Sequence, residues 1–367
     1  PPRTVLLFFL LAIAFKLTDQ SRWLSEHELF TDHPEQGPGI YNLLTDNFTK
    51  LSYSKDNNTS LNFSDDLKYV AEFSFRPEAF RHPNHKLFSV IIHDIARNVS
   101  HSVGVNDSIS EFTWSHGSAF AYELNEETQY YVSEPGKVPI MMSSNAGGVG
   151  GLWFSPSDKY LAYASNDDKS TKTVIMTTYD RSEKYDYQYN MEYSQNGEEK
   201  HSIASIFIWN AEETKSIKMA VLIDDPSLLY NHLASSWVVL HGKELLSVTW
   251  SNRWSNHTTI TLCSYDTASC WKIYEHRYEP RQWAMGDDYK NMLYSNKSIF
   301  VILPTPINDN SWQHMHRIDI TEDFTLDWIE RSTPFGEYDI KHMIEYRPIE
   351  DILVYIARAP HPWNLHV

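Results

Sequence analysis

Apolar and polar positions alternate in short runs along this chain, and Gly151-Leu-Trp-Phe-Ser-Pro-Ser-Asp-Lys-Tyr-Leu-Ala-Tyr163 shows the pattern most clearly. Two apolar runs flank a polar centre, in which Ser155 suits the first position of a type I turn and Pro156 sets φ at the second. After this turn, alternate side chains belong to two different faces, which is the period of a β-strand. The stretch therefore predicts a β-hairpin.

The order aromatic residue, turn, strand recurs elsewhere. Further copies begin at Phe63, Trp114, Tyr294 and Tyr346, with weaker copies at Trp23 and Val248. A second kind of strand ends on aspartate, at Asp94, Asp180, Asp266 and Asp319. The turn serines Ser64, Ser115 and Ser155 are 51 and 40 residues apart. A unit of about 40 to 50 residues with several short strands is typical of a propeller blade, so we predict an all-β β-propeller of four-stranded blades. An irregular β-sandwich is the alternative.

Two local stretches interrupt this regularity. Gln36-Gly-Pro-Gly39 is predicted to be a turn in a first, incomplete blade, because glycine and proline favour turns. The acidic, tyrosine-rich stretch from Asp180 to Ser202 is predicted to be a long loop or a protruding hairpin before the strand Ile203 to Trp209. Both predictions concern connections between blade strands.

Composition narrows the class of protein. The 367 residues would allow two or three domains, but the repeat indicates one continuous domain over residues 17–367. An aromatic content of 14% suits stacked sheets, whose strands favour such side chains. The net charge of −17 excludes a general nucleic-acid binder, which needs a basic face. The acidic charge either keeps a large surface soluble or attracts cationic peptides to a channel mouth.

The N-terminal residues 1–16 differ from the rest. The apolar run between Arg3 and Lys16 is about half the length of roughly 20 residues that a membrane span needs. A basic residue, a short apolar core and Ala12-Ile-Ala14 fit a signal peptide. Since the chain begins with proline, we interpret residues 1–16 as a signal peptide or a truncated signal anchor, with an internal β-strand as the alternative.

Cysteines and glycosylation sequons indicate the compartment. Cys263 and Cys270 flank a segment in which residues 267–269 can turn the chain, so we predict a disulfide across a hairpin, with two free core thiols as the alternative. Their spacing is not that of a zinc finger. Predicted glycosylation sites are Asn47, Asn57, Asn58, Asn62, Asn98, Asn106, Asn256 and Asn296. Together these features favour the secretory pathway.

Motifs of known chemistry are missing from the sequence. Neither the Gly-x-Ser-x-Gly nucleophile elbow nor His-Glu-x-x-His occurs. The glycine-rich stretch Ser143 to Gly151 precedes a strand rather than a helix, so we interpret it as a flexible connector and not as a phosphate site. The pairs His82 with His85 and His314 with His316 lack a helix with a matching carboxylate, and we interpret them as surface histidines. We predict no catalytic residue, metal site or cofactor.

The repeated phrases resemble the N-terminal β-propeller of the dipeptidyl peptidase IV family, a branch of the prolyl oligopeptidase class. The resemblance lies in Trp23-Leu-Ser-Glu-His-Glu28, Phe80-Arg-His82, Val90-Ile-Ile-His-Asp94, Phe112-Thr-Trp-Ser115, Leu152 to Tyr163 with Asn166-Asp167, Val248-Thr-Trp250, and Cys263-Ser-Tyr-Asp266 closing at Cys270. It extends over nearly the whole chain.

The resemblance implies a fold and an activity. Family members are type II membrane or secreted glycoproteins in which an eight-bladed propeller caps an α/β-hydrolase domain. They release dipeptides from peptide N-termini, with proline or alanine second. By implication, this chain holds about six to seven of the eight blades, is truncated at its C-terminus and contains no α/β-hydrolase domain. The expected location is the extracellular face of the plasma membrane or the secreted fraction.

The same resemblance implies partners. The expected partners are peptide substrates, which a hydrolase domain would cleave if one follows, and a second copy of the chain in a homodimer. The membrane is a further expected partner, through an N-terminal anchor if that anchor is complete. No nucleic acid is expected.

One substrate-binding residue can be carried over, and one group is missing. Arg81 resembles the family arginine that reaches the substrate carbonyl, a role that suits a permanently charged guanidinium with several donors. The family also has paired glutamates that hold the substrate ammonium, whereas Ser143 to Gly151 contains no carboxylate. Two charge-assisted bonds of about 1.5 to 3 kcal/mol each are therefore missing. The chain is either the propeller portion of a serine exopeptidase or a non-enzymatic binding module, so whether it belongs to an enzyme stays open.

Overall fold

The structure is a computed structural model and is described here by its strands and their packing. It describes residues 22–25, 27–33, 37–51, 60–75, 87–104, 109–124, 129–143, 151–167, 172–178, 187–192, 197, 203–280, 282–284, 286–290, 292–308, 310–333 and 336–359. The chain divides into two compact units, residues 1–144 and residues 145–367.

Twelve described strands form the first unit. A four-stranded antiparallel sheet contains, in chain order, β1 (Arg22–Trp23), β2 (Glu28–His33), β3 (Gly37–Asn42) and β4 (Asn47–Lys50). The next four strands are β5 (Ser60–Phe63), β6 (Tyr69–Phe75), β7 (Phe88–Asp94) and β8 (Val99–Val103). They are followed by β9 (Ile109–Trp114), β10 (Phe120–Leu124), β11 (Gln129–Ser133) and β12 (Ile140–Ser143). Each group of four pairs in chain order, and a single pair, Phe88 with Ile109, joins β7 to β9.

The second unit repeats this order. One sheet contains β13 (Leu152–Phe154), β14 (Tyr160–Asp167), β17 (Ile203–Asn210) and β18 (Lys215–Lys218), while β15 (Thr173–Thr178) and β16 (Tyr187–Glu192) form a separate hairpin. The next contains β20 (Asn231–Leu240), β21 (Lys243–Ser251), β22 (His257–Ser264) and β23 (Ser269–Arg277), with β19 (Ala220–Leu222) parallel to β23. The last strands are β24 (Leu293–Tyr294), β25 (Ser298–Ile307), β26 (Asn310–Ile320) and β27 (Leu326–Arg331), then β28 (Asp339–Arg347) with β29 (Ile352–Arg358).

Helices are short in the described residues. A 3-10 helix covers Pro226–Tyr230, and one α-helix, α1, covers Gly286–Lys290. None of the described helices has the length and hydropathy needed to span a bilayer. The all-β prediction is therefore confirmed, with the four-stranded antiparallel sheet as the repeating unit.

The core lies between successive sheets. In the second unit, Ala162 and Ile206 pack with Val248 and Trp250 of the next sheet. The opposite face of that sheet packs its Leu262 against the following one. The β20–β23 sheet thus buries both faces, which is how neighbouring blades share a hydrophobic layer.

The turn of the repeated phrase has the same geometry in both units. Asp158 N donates to Ser155 O at 2.9 Å, and Tyr160 N donates to Ser155 Oγ at 3.2 Å. At the earlier copy, Tyr69 N donates to Ser64 Oγ at 3.0 Å. The serine hydroxyl therefore closes the turn, and the predicted β13–β14 hairpin is confirmed.

The aromatic residues of the repeat join neighbouring sheets. Trp114 Nε1 donates to Asn62 O at 3.1 Å, and Trp237 Nε1 donates to Trp153 O at 2.9 Å. A third contact runs from Trp271 Nε1 to Phe324 O at 2.7 Å. An indole is suited to this position because its apolar body fills the layer between sheets while its N–H satisfies a buried carbonyl.

Two predictions about connections need correction. The segment Gly37–Gly39 belongs to β3 and is not a turn; a Cβ at Gly39 would lie 2.6 Å from Thr49 O, so glycine allows the close approach of β4. The strand predicted to end at Asp180 is not a blade strand, because β15 pairs only with β16. Those two strands confirm a hairpin, although it begins earlier than predicted, at Thr173.

Candidate functional site

A cavity in the first unit is lined by three phenylalanines together with smaller apolar and polar side chains. Its volume is about 290 Å³, and its walls include Phe73 of β6, Phe88 of β7 and Phe112 of β9. The ring centroids of Phe73 and Phe112 are 5.4 Å apart in an edge arrangement. The one ionisable residue lining the cavity is Glu111. An aromatic wall with a single carboxylate has the composition of a small-ligand site.

Glu111 lies directly opposite a second glutamate. In the pairing of β9 with β10, Glu111 is the partner of Glu123, and Glu123 is in turn opposite Tyr130 of β11. Glu123 is fully buried, and neither of its carboxylate oxygens has a hydrogen-bond partner of normal geometry. Such a buried, unpaired carboxyl is costly in its charged form.

A β-bulge shapes this part of the sheet. The register of β9 shifts beside Glu123 and Leu124, so that Ser110 is the extra residue. Ser110 lines the cavity, and its Oγ is buried without a hydrogen-bond partner. Bulges of this kind redirect side chains and are frequent near functional sites.

Burial controls the charge of the two glutamates. It raises the pKa of Glu123 to about 7, with a further contribution from the repulsion of Glu111. The nearby hydroxyls of Ser110 and Tyr130 act in the opposite direction, although neither Glu123 carboxylate oxygen accepts a hydrogen bond of regular geometry from them. Burial also raises the pKa of Glu111. The pair can therefore hold a proton near neutral pH or accept the positive charge of a ligand.

The described residues offer little for metal binding. They contain no group of three or more His, Cys, Asp or Glu side chains close enough to hold an ion. His314 is fully buried rather than on the surface, so that interpretation was wrong. Its Nε2 lies 3.0 Å from Gly336 O and its Nδ1 2.9 Å from Thr333 Oγ1, so both ring nitrogens are engaged. His316 is half-buried, and burial lowers its pKa to about 4.

Several predicted site residues lie outside the described part of the chain. These are Arg81, His82, His85, Asn57, Asn58, Asn106, the signal segment 1–16 and most of the glycine-rich stretch. The strands on either side of the segment that carries Arg81 are β6 and β7, and both contribute a phenylalanine to the cavity. The role of Arg81 stays a prediction.

The predicted disulfide is confirmed. Cys263 and Cys270 are bonded, and they are directly opposite each other on β22 and β23. Both are fully buried in the layer that also contains Trp250. The hairpin that residues 267–269 suggested thus brings the two thiols together.

The sequons that the structure describes are largely at the surface. Asn47, Asn98, Asn256 and Asn296 are exposed, whereas Asn62 is half-buried. These positions are compatible with glycosylation, which stays a prediction.

Sequence inspection missed Glu111 and Glu123. A signal was present, because Phe120-Ala-Tyr-Glu-Leu124 reads as a continuously buried strand with one acidic residue. The pairing with Glu111 could not be read, since it depends on the bulge at Ser110.

Comparison with known proteins places this fold and cavity in context. A family model described as the dipeptidyl peptidase IV N-terminal region matches residues 147–367. "Dipeptidyl peptidase family member 1" of Caenorhabditis elegans is 25% identical and aligns with 87% of this chain and 45% of its own length. "Prolyl endopeptidase FAP" of Bos taurus is 27% identical over 46% of this chain and 22% of its own length.

Solved structures agree on the fold. Dipeptidyl peptidase 4 of Porphyromonas gingivalis superposes with a TM-score of 0.69 at 13% identity, over 93% of this chain and 50% of that one. The repeated four-stranded sheets and this likeness show a β-propeller fold. The chain belongs to the dipeptidyl peptidase IV N-terminal region family. It spans about half the length of the relatives that it matches over most of its residues.

Proposed function

We propose that this chain is the substrate-binding propeller portion of a serine exopeptidase that releases N-terminal dipeptides. The observation that carries the proposal is the similarity of 87% of the chain to a dipeptidyl peptidase family member. The aromatic cavity adds support, because it lies at the strands that flank the segment with Arg81. In this role the propeller binds the peptide, and a hydrolase domain elsewhere in the natural protein cleaves it.

The test is peptidase activity of the natural full-length protein. We expect it to release Gly-Pro from a chromogenic Gly-Pro anilide, and Arg81→Ala to lower kcat/KM by about 10- to 100-fold, as expected for one charge-assisted hydrogen bond. Arg76→Ala is the matched control, because it removes an arginine from the same segment and should leave kcat/KM nearly unchanged. Equal effects of the two substitutions would contradict the assigned role of Arg81.

A second candidate is a non-enzymatic binding module that associates with other membrane proteins. It is favoured by one specific observation, the absence of any carboxylate between Ser143 and Gly151. A fluorophosphonate probe separates the two candidates, since it labels an activated serine. A folded natural protein that neither reacts with the probe nor cleaves the anilide would favour the binding module.

We propose further that the protein reaches the cell surface or is secreted. The eight sequons and the Cys263–Cys270 disulfide support this location. Sensitivity of the natural protein to an N-glycan amidase on intact cells, or in the medium, is the expected result. A protein that carries no glycan and a reduced cysteine pair would contradict the proposed location.

A further inference from the structure

Two exposed tryptophans lie at one end of the β20–β23 sheet. Trp254 is in the turn between β21 and β22 and is 70% exposed, and Trp283 is 60% exposed. Ala284 N donates to Ser255 O at 2.6 Å, so the segment with Trp283 runs beside the turn with Trp254. Two exposed indoles on adjoining segments add apolar area to this end of the sheet, and a large exposed apolar patch usually marks a contact site.

Asn256, a predicted glycosylation site, belongs to the same turn. Ser255 N donates to Asn252 O at 3.0 Å, and Ser255 has a φ of 53°, so the chain reverses immediately before Asn256. The spacing Trp254-Ser-Asn256-His-Thr258 places an indole two residues before the asparagine of the sequon.

Hydrogen bonds fix the orientation of Asn256. Its Oδ1 accepts from Asn252 Nδ2 at 2.9 Å, and its backbone N donates to Asn252 Oδ1 at 3.2 Å. Its backbone carbonyl accepts from Tyr278 N at 2.9 Å. The atom that would carry a glycan, Nδ2, has no acceptor among the described residues, and the residue is exposed. A sugar attached there would start beside the exposed indole.

We propose that the first N-acetylglucosamine of a glycan on Asn256 packs on Trp254 and, on its far side, meets Trp283. The C–H face of a pyranose ring is apolar and slightly positive, and the face of an indole is its electron-rich side. The sugar would therefore cover the patch without a protein partner. Covalent attachment makes the contact intramolecular, so even a weak contact is formed most of the time.

The expected consequence is a coupling between the glycan and Trp254. In the natural full-length protein from a eukaryotic secretory host, we expect Asn256→Gln to lower the melting temperature by roughly 2–4 °C, the shift that a modest contact produces in a domain of this size. The same substitution in a Trp254→Ala background should produce a much smaller shift. Asn98→Gln is the matched control: its sequon is exposed but has Ala96 two residues earlier, so its effect should not depend on Trp254.

A second measurement needs no substitution. Enzymatic removal of glycans from the folded protein should raise the rate of hydroxyl-radical oxidation of Trp254 severalfold, with a smaller rise at Trp283. Trp328, which is exposed far along the chain on β27 and has no sequon beside it, is the internal control. An unoccupied Asn256 would overturn the proposal. So would a Trp254 that is equally protected before and after deglycosylation, because a protein surface would then be its cover.

Discussion

Two sets of four strands with the same order differ in the surroundings that they give to acidic groups. In the β9–β12 sheet, Glu123 is buried opposite Glu111 without a hydrogen-bond partner, and burial raises its pKa to about 7. In the β20–β23 sheet, Glu275 binds Lys272 at 3.0 Å and His257 at 2.7 Å, and the Lys272 hydrogen bond lowers its pKa.

This difference distinguishes the candidate binding site in the β9–β12 sheet from the β20–β23 sheet, which we call the scaffold sheet. The β20–β23 sheet also has the disulfide and Trp250, whose Nε1 donates to Thr261 Oγ1 at 2.8 Å. These contacts, with the ion pairs of Glu275, hold the sheet together. The β9–β12 sheet leaves the Glu123 carboxyl without a hydrogen-bond partner, opposite the cavity-lining Glu111, an arrangement that stability alone does not favour and that is typical of binding sites.

The largest effect should come from removing the core of the scaffold sheet. Trp250→Ala deletes the largest fully buried side chain of the described residues and should lower the free energy of unfolding by about 3–5 kcal/mol. Hydrogen exchange of β21 and β22, compared between the substituted and the unsubstituted natural protein, measures this loss of stability. If hydrogen-exchange protection falls in β21 and β22 no more than in β9 and β10, the two sheets lose stability together.

The next effect should be a pH-dependent one at the carboxyl pair. The pKa of Glu123 is about 7 in the folded state against 4.5 for the ordinary group, so the folded state binds more protons between these values. The contribution of Glu123 to stability is therefore fully present below about pH 4.5 and should fall by about 3 kcal/mol as pH rises through 7. Glu123→Gln should remove most of this slope in the hydrogen exchange of β10. A slope of the opposite sign would show that Glu123 is ionised in the fold.

Loss of the disulfide should be smaller. The double substitution Cys263→Ala with Cys270→Ala should cost about 2–3 kcal/mol, since the closed loop is short. The thermal midpoint of unit 2 measures this loss, and a reducing agent applied to the natural sequence is the matched control. An unchanged thermal midpoint in both cases would mean that the pairing of β22 with β23 is stable without the disulfide.

The smallest effect should come from Glu275, with a pH dependence opposite to that of Glu123. Its pKa is lowered, so its contribution is present above the ordinary value of 4.5 and is lost as pH falls. Because the side chain is partly exposed, Glu275→Gln should cost under about 1 kcal/mol at pH 7, and the cost should shrink steadily as pH falls below 4.5. A cost that does not change as pH falls would point to packing rather than charge.

The sequence by itself determined the class of fold. The turn at Ser155 and its copy at Ser64 depend on local hydrogen bonds between residues at most five apart, and the Cys263–Cys270 pair lies across one hairpin. Local chemistry of this kind can be read from the residues in order. The same information was insufficient at Gly39, where the neighbouring strand β4 decided the conformation.

Only the tertiary structure decided the candidate site and the environments of its side chains. Glu111 meets Glu123 because a bulge at Ser110 sets the register of two strands, and Phe73 meets Phe88 and Phe112 across separate strands. His314 is buried because Thr333 and Gly336 lie around it. Burial, and with it the pKa of a carboxyl or an imidazole, depends on residues distant in sequence, so no local pattern could supply it.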